Sequence, residues 1–220
     1  MKKPLAAIGT HSPALPTTLG QALHRSVQQH LATPLGKTAA VLLGSLFVAL
    51  CAQLAVPLPW TPVPMTMQPF GVLLVGLLLG PSLGAAALAA YLLEGAAGLP
   101  VFVPGFGGLL PLGPSAGYLL AYPLVAATAG ALWHISRSKP NRTGLTAFLH
   151  ALAACTVADV ILLSSGAAWL AVLTHSSFAT AAHLGIYPFI GGEAVKALLA
   201  AAIATGCLRA FHPVHTPPAN

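Results

Sequence analysis

Glu193 and Lys196 are the side chains whose types and spacing suit chemistry. They stand three residues apart in "GIYPFIGGEAVKALLAAAIA", at the head of an apolar run. That spacing puts both on one helical face. A carboxylate accepts hydrogen bonds and an ammonium donates them, so together they suit a ligand that carries both donors and acceptors. The plainer role is an intrahelical ion pair, or a lysine snorkelling to an interface. Ionisable groups near membrane depth mostly face a bundle interior or a wet cavity. Gly191 and Gly192, just ahead of the pair, allow close approach of backbone or ligand. The chain holds two further acids. Glu94 lies in "AYLLEGAAGLPVF", with Tyr91 on the same face three residues earlier. Asp159 falls near the middle of another apolar run, where a hydrogen bond to a neighbouring helix is its expected role. Its depth sets it apart from the Glu193 group.

Other motifs that suggest chemistry do not hold up. "GKT" at 36–38 resembles the end of a phosphate-binding loop, but that loop needs a glycine five positions before Gly36, where Leu31 stands. "GPSAG" at 113–117 is not a nucleophile elbow, and Ser115 after Pro114 reads as a helix start. His212 and His215 are too few for a metal site. Cys51, Cys155 and Cys207 lie far apart in apolar segments and read as packing residues. The reading is of a chain that is not an enzyme and has no metal site and no nucleotide site.

The elements that position Glu193 and Lys196 follow from composition. Of 220 residues, 56% are hydrophobic and 5% charged, against roughly 25% charged in soluble domains. Such a chain cannot clothe a water-facing surface. Apolar runs near 20 residues recur, as in integral membrane proteins. The net charge of +6 would suggest nucleic acid in a soluble protein. Here the basic residues flank apolar runs, so topology and anionic membrane lipid are the expected partners, with no nucleic acid.

Apolar segments at about 38–56, 67–80, 83–99, 115–135, 146–173 and 190–210 predict six transmembrane helices, since backbone groups in lipid must be satisfied internally. Pro81 and Gly84 mark a tight turn between the second and third. The expected fold is therefore all-α integral membrane. Residues 1–34 are expected to be a flexible cytoplasmic tail, 35–212 the six-helix membrane domain and 213–220 a C-terminal tail. Arg25, Lys37, Arg137, Lys139, Arg142 and Arg209 all fall on the cytoplasmic side if both termini are inside. Lys196 is then the outward exception to that bias. Trp60, Trp133, Trp169 and Tyr187 lie near span ends, as interfacial aromatics do. Gly36, Ala40 and Gly44, with Ser45 and Ala49 alongside, permit close helix contact. Two uses stay open for them: packing inside the chain, or docking of another membrane subunit.

"PLPWTPVPMTMQPFGVLLVGLLLGPSLGAAALAAYLLEGAAGLPVF" and "GPSAGYLLAYPLVA" resemble the BioY family over about residues 38–210. The pieces P-V-P-x-T-x-Q, G-x-x-G-L-P-V-F, G-P-[ST]-x-G-Y-L and P-F-x-x-G-[DE]-x-x-K are specific in combination. The last matches "PFIGGEAVK" at 188–196. The family's pattern more often has Asp where this chain has Glu193, Thr at Ser115 and Gly at Ala116.

The resemblance implies a biotin-binding substrate subunit of an energy-coupling factor (ECF) transporter in the cell membrane. It implies a coupling transmembrane subunit and ATP-binding cassette ATPases as partners, and no cofactor on this chain. It carries a biotin-pocket role to Glu193 and Lys196. Tyr91, Phe102 and Tyr118 are then expected to cover the apolar ring, Gln68 and Glu94 to add polar contacts, and "GFGGLLPLG" at 105–113 to act as a lid. The same scaffold serving another vitamin is one alternative. A carrier working alone on an ion gradient, with Asp159 as a proton site, is another.

Overall fold

A computed structural model describes residues 33–103, 113–137 and 144–211. The tails expected at 1–34 and 213–220 lie almost wholly outside those residues, as does most of the expected lid.

Helix α1 (Pro34–Ala52) starts where the sequence supplies both start signals. The Thr33 side chain accepts a bond from Gly36 N at 3.0 Å, and Pro34 occupies the first turn, where its missing N–H is not needed. A short antiparallel ladder follows, β1 (Ala55–Val56) against β2 (Met65–Thr66), with Ala55 opposite Thr66. The chain between them carries Pro57, Pro59, Pro62 and Pro64. Residues without N–H groups cannot extend a ladder, so the strands stop at two residues.

Helix α2 (Gln68–Ala96) is sharply broken into two arms at Gly80, whose φ of 79° and ψ of −179° suit glycine alone. Pro81 follows and removes a further donor. The break turns the chain back on itself. Gln68 Nε2 lies 2.6 Å from the Tyr91 hydroxyl, whereas a straight helix would separate residues so far apart by about 35 Å. A Cβ on Gly84 would stand 3.1 Å from Gly76 Cα. The arms 68–79 and 81–96 are thus an antiparallel pair, at the two spans expected from sequence. They are short, about 18 and 24 Å at 1.5 Å per residue.

Helices α3 (Ala116–Arg137), α4 (Gly144–Leu173), α5 (Phe178–Gly185) and α6 (Ile190–Phe211) complete the chain. α3 crosses the elbow of α2, where a Cβ on Gly130 would meet Gly76 O and Pro81 N at 2.7 Å. α5 is capped by Ser177, whose side chain accepts from Thr180 N at 3.2 Å, and it meets α6 at a bend of 59°. The sequence reading left 174–189 without an element, and α5 corrects that.

Among the described residues, α1, α2, α3 and α4 are long and apolar enough to cross a membrane, and α5 with α6 form a bent span. With α2 folded at Gly80, six apolar passes result. The architecture is all-α, with one small hairpin added.

Side-chain size, rather than polarity, separates the faces of these helices. On α1, Gly44, Ser45, Val48 and Ala49 turn inward, while Leu42, Leu43, Leu46 and Leu50 are exposed. On α6, Ala197, Ala200, Ala201 and Ala204 are buried, and Val195, Leu198, Leu199 and Ile203 face out. Lipid supplies no hydrophobic force between helices, so small residues take the close contacts and large ones meet the acyl chains. Trp133, read as interfacial, is only 2% exposed and belongs to the interior.

Candidate ligand-binding site

An apolar-walled cleft opens between the β-hairpin, α2, α3, α4 and the start of α6. It encloses about 750 Å³ when the open mouth is counted, and its lining is mainly apolar and aromatic with a few polar groups, as small-molecule sites are. Pro64, Thr66 and Gln68 line one side, Phe102 and Gly113 the mouth, and Tyr118, Tyr122, Leu162 and Phe189 the walls. Glu193 supplies a charged end.

Several polar groups in and around it are held by their neighbours. The Thr66 hydroxyl donates to Gln68 Oε1 at 3.1 Å, and Gln68 Nε2 donates to Tyr91. The Tyr91 hydroxyl donates in turn to Val101 O at 3.0 Å. These bonds fix both ends of the Gln68 amide. On α3, Tyr118 donates to Gly185 O at 2.5 Å, and its ring lies against Gly166, where any side chain on α4 would collide with it. Trp169 Nε1 donates to Gly113 O at 2.9 Å and so holds one end of the loop beside the cleft. From the hairpin, the Thr61 hydroxyl donates to Leu184 O at 2.7 Å, and Met65 Sδ approaches Gly192 at a distance of 3.3 Å from a built Cβ. The hairpin is thereby pinned over the start of α6.

Glu193 and Lys196 form the intrahelical ion pair of the plainer reading. Lys196 Nζ lies 2.6 Å from Glu193 Oε1, and both residues are 5% exposed. The other carboxylate oxygen, Glu193 Oε2, is buried and has no hydrogen-bond partner among the described residues. An orphaned buried acceptor is costly unless something fills it. Lys196 lies behind Glu193 rather than in the cleft wall.

The other expected residues divide. Gln68, Phe102 and Tyr118 line the cleft with Glu193. Tyr91 is fully buried behind them, orienting Gln68 and meeting Phe102 edge-on at 5.3 Å between ring centroids. Glu94 does not reach the cleft. It accepts a hydrogen bond from Ser45 of α1, because the 81–96 arm of α2 turns it toward α1. Gly44 is taken up by packing inside the chain, with Ala87 Cβ 3.0 Å from a built Cβ. Gly36 and Ala40 are half-buried on the same helix. Of the residues expected to form the lid, only Gly113 is described.

Three features escaped the sequence reading. Tyr122 follows Tyr118 by four residues, and that spacing alone puts it on the same face. Phe189 precedes Glu193 by four and was open to the same argument. Asp159 is the third. It was read as remote from the Glu193 group, yet its helix α4 packs against α6, and its Oδ1 is buried with no hydrogen-bond partner among the described residues.

A membrane-embedded cleft with aromatic walls and a carboxylate–ammonium end defines a receptor for a small, partly apolar organic molecule. The chain matches the BioY family over residues 24–213, and it belongs to that family. It is 39% identical over 172 residues to the probable biotin transporter BioY of Pyrococcus horikoshii, covering 76% of this chain and 95% of that one. It is 34% identical over 171 residues to the biotin transporter BioY of Rhizobium etli, covering 74% and 90%. It is also similar to a crystal structure described as the S-component for biotin from an ECF-type ABC transporter. That similarity has a TM-score of 0.68 at 25% identity and covers 79% of this chain and 90% of that one. The chain is a multi-pass membrane protein of a transporter family.

Proposed function

We propose that this chain is the biotin-binding S component of an ECF transporter, capturing biotin at the outer membrane face without covalent chemistry. The observation that carries this reading is the buried, unpartnered Glu193 Oε2 at the wall of the cleft. The ureido ring of biotin presents two N–H donors and a carbonyl. One N–H completes Glu193 Oε2. Lys196, outside the cleft lining, holds the other carboxylate oxygen, Oε1, and so orients Glu193 toward the ligand. Phe102, Tyr118, Tyr122, Phe189 and Leu162 cover the apolar ring system. The names of the relatives support biotin over another vitamin.

Uptake driven by ATP is proposed to come from a coupling transmembrane subunit and its ATP-binding cassette ATPases. The exposed leucines of α1 meet lipid or that subunit. The test is calorimetric titration of the purified chain with biotin, desthiobiotin, lipoate, thiamine and riboflavin. Saturable binding confined to biotin and desthiobiotin is the expected result. Tight binding of thiamine or riboflavin with none of biotin overturns it.

A further inference from the structure

Tyr118 separates the cleft from a stretch of α4 that carries no side chain. Leu162 lines the cleft, and Gly166, four residues on, shares its face of the helix. Gly166 does not line the cleft, because the Tyr118 ring lies over it. A Cβ built on Gly166 would fall on ring atoms Cε1, Cζ and Cδ1, closer than real Cβ atoms approach anything. Two more glycines hold the ring at that depth. Gly117, beside Tyr118 on α3, brings its backbone so near α4 that a Cβ would collide with Trp169 Cβ and stand 2.8 Å from Ser165 O. Gly185, at the end of α5, accepts from the Tyr118 hydroxyl at 2.5 Å, and a Cβ there would meet the same oxygen.

We propose that Gly166 is a specificity-determining residue of the ligand site: by carrying no side chain it lets Tyr118 sink against α4, and so sets the width of the cleft. A methyl at Gly166 needs the ring to move by about 1 Å or more before contact is ordinary, at 3.4 Å. Helix α4 is not free to retreat, since Gly117 packs against its backbone and its Trp169 donates to Gly113 O at 2.9 Å. The ring is not free to slide along α4, since its hydroxyl is held at Gly185. The remaining direction is into the cleft, where Phe189 has its ring centroid 6.4 Å from that of Tyr118. An advance of the ring therefore excludes a fused bicyclic ligand before a slimmer one with the same polar groups. The role takes biotin as the fused ligand, and so it rests on the ligand assignment above.

Two measurements test this. The first needs no ligand. A crystal structure of the ligand-free Gly166→Ala chain should show the Tyr118 ring moved toward Phe189 by about 1 Å or more, with α3 and α4 in place. A ring left where it is, with α4 displaced instead, overturns the proposal.

The second measurement compares biotin with desthiobiotin, which keeps the ureido ring and the carboxylate chain but lacks the sulfur that closes the second ring. Gly166→Ala should weaken biotin about tenfold more than desthiobiotin, the discrimination that one methylene gives in an apolar pocket. General loosening of the fold would weaken both alike. A Tyr118→Ala chain has no ring to advance, so adding Gly166→Ala there should leave both affinities unchanged. Equal losses for the two ligands, or a further tenfold loss in the Tyr118→Ala background, overturn the proposal. If Gly166→Ala alone does not fold, the comparison within the Tyr118→Ala background decides. If the parent binds neither ligand, the ligand assignment fails by itself, and the ring position in the crystal decides the role of Gly166.

Discussion

Gln68 and Tyr91, on the two arms of the broken helix α2, meet in a 2.6 Å hydrogen bond. The bond exists because Gly80 and Pro81 fold α2 into two arms, and it turns the Gln68 amide into a fixed part of the cleft wall. Tyr91 itself does not line the cleft. Its substitution therefore separates positioning from contact. Tyr91→Phe keeps the ring that meets Phe102 and loses only the hydroxyl. It should weaken biotin binding by roughly tenfold, since one buried polar partner is worth about 1–3 kcal/mol. The titration and a melting curve on the same sample check this. An unchanged affinity shows that Gln68 needs no such support.

The elbow of α2 makes a second expectation. Gly130 of α3 faces Gly76 O and Pro81 N, both backbone atoms, at 2.7 Å from a built Cβ. Neither can swing aside as a side chain would. Gly130→Ala should destabilise by about 1–3 kcal/mol, seen as a melting temperature lower by about 2–12 °C. Gly206→Ala, whose built Cβ meets nothing within 4 Å, is the control and should melt as the parent or higher. Equal behaviour of the two variants contradicts the close crossing.

Ser45 and Glu94 join α1 to the 81–96 arm of α2 away from the cleft. Ser45→Ala and Glu94→Gln should therefore leave biotin affinity within about twofold of the parent, while Ser45→Ala lowers the melting temperature by a few degrees. A tenfold loss of affinity on Glu94→Gln returns that carboxylate to the ligand.

Much of this was legible in the sequence, for a physical reason. In a chain with 5% charged residues, each charge inside an apolar run is conspicuous. Glu193 and Lys196 stood out by type, and helical period put them on one face. The six apolar segments and the turn at Pro81 were equally plain. Periodicity states which residues share a face of one helix, but it is silent on which helices adjoin. So Asp159 was read as remote, although its helix α4 packs against α6. Glu94 was assigned to the ligand, although its arm turns it to Ser45. Gly44 suited docking and internal packing alike, and only the position of Ala87 decided between them. The two-residue strands and the eight-residue α5 are too short for any period to reveal.

The central claim is that Glu193 Oε2 waits for a ligand donor. Glu193→Gln tests it most directly, because it retains size and shape while replacing one acceptor oxygen with a donor. Titration of the purified variant with biotin should show affinity lower by tenfold or more, from the about 1–3 kcal/mol of an unmet buried partner. Glu193→Asp should be milder, since the carboxylate persists. If a folded Glu193→Gln chain binds biotin as tightly as the parent, the pair is a structural ion pair and the site lies elsewhere.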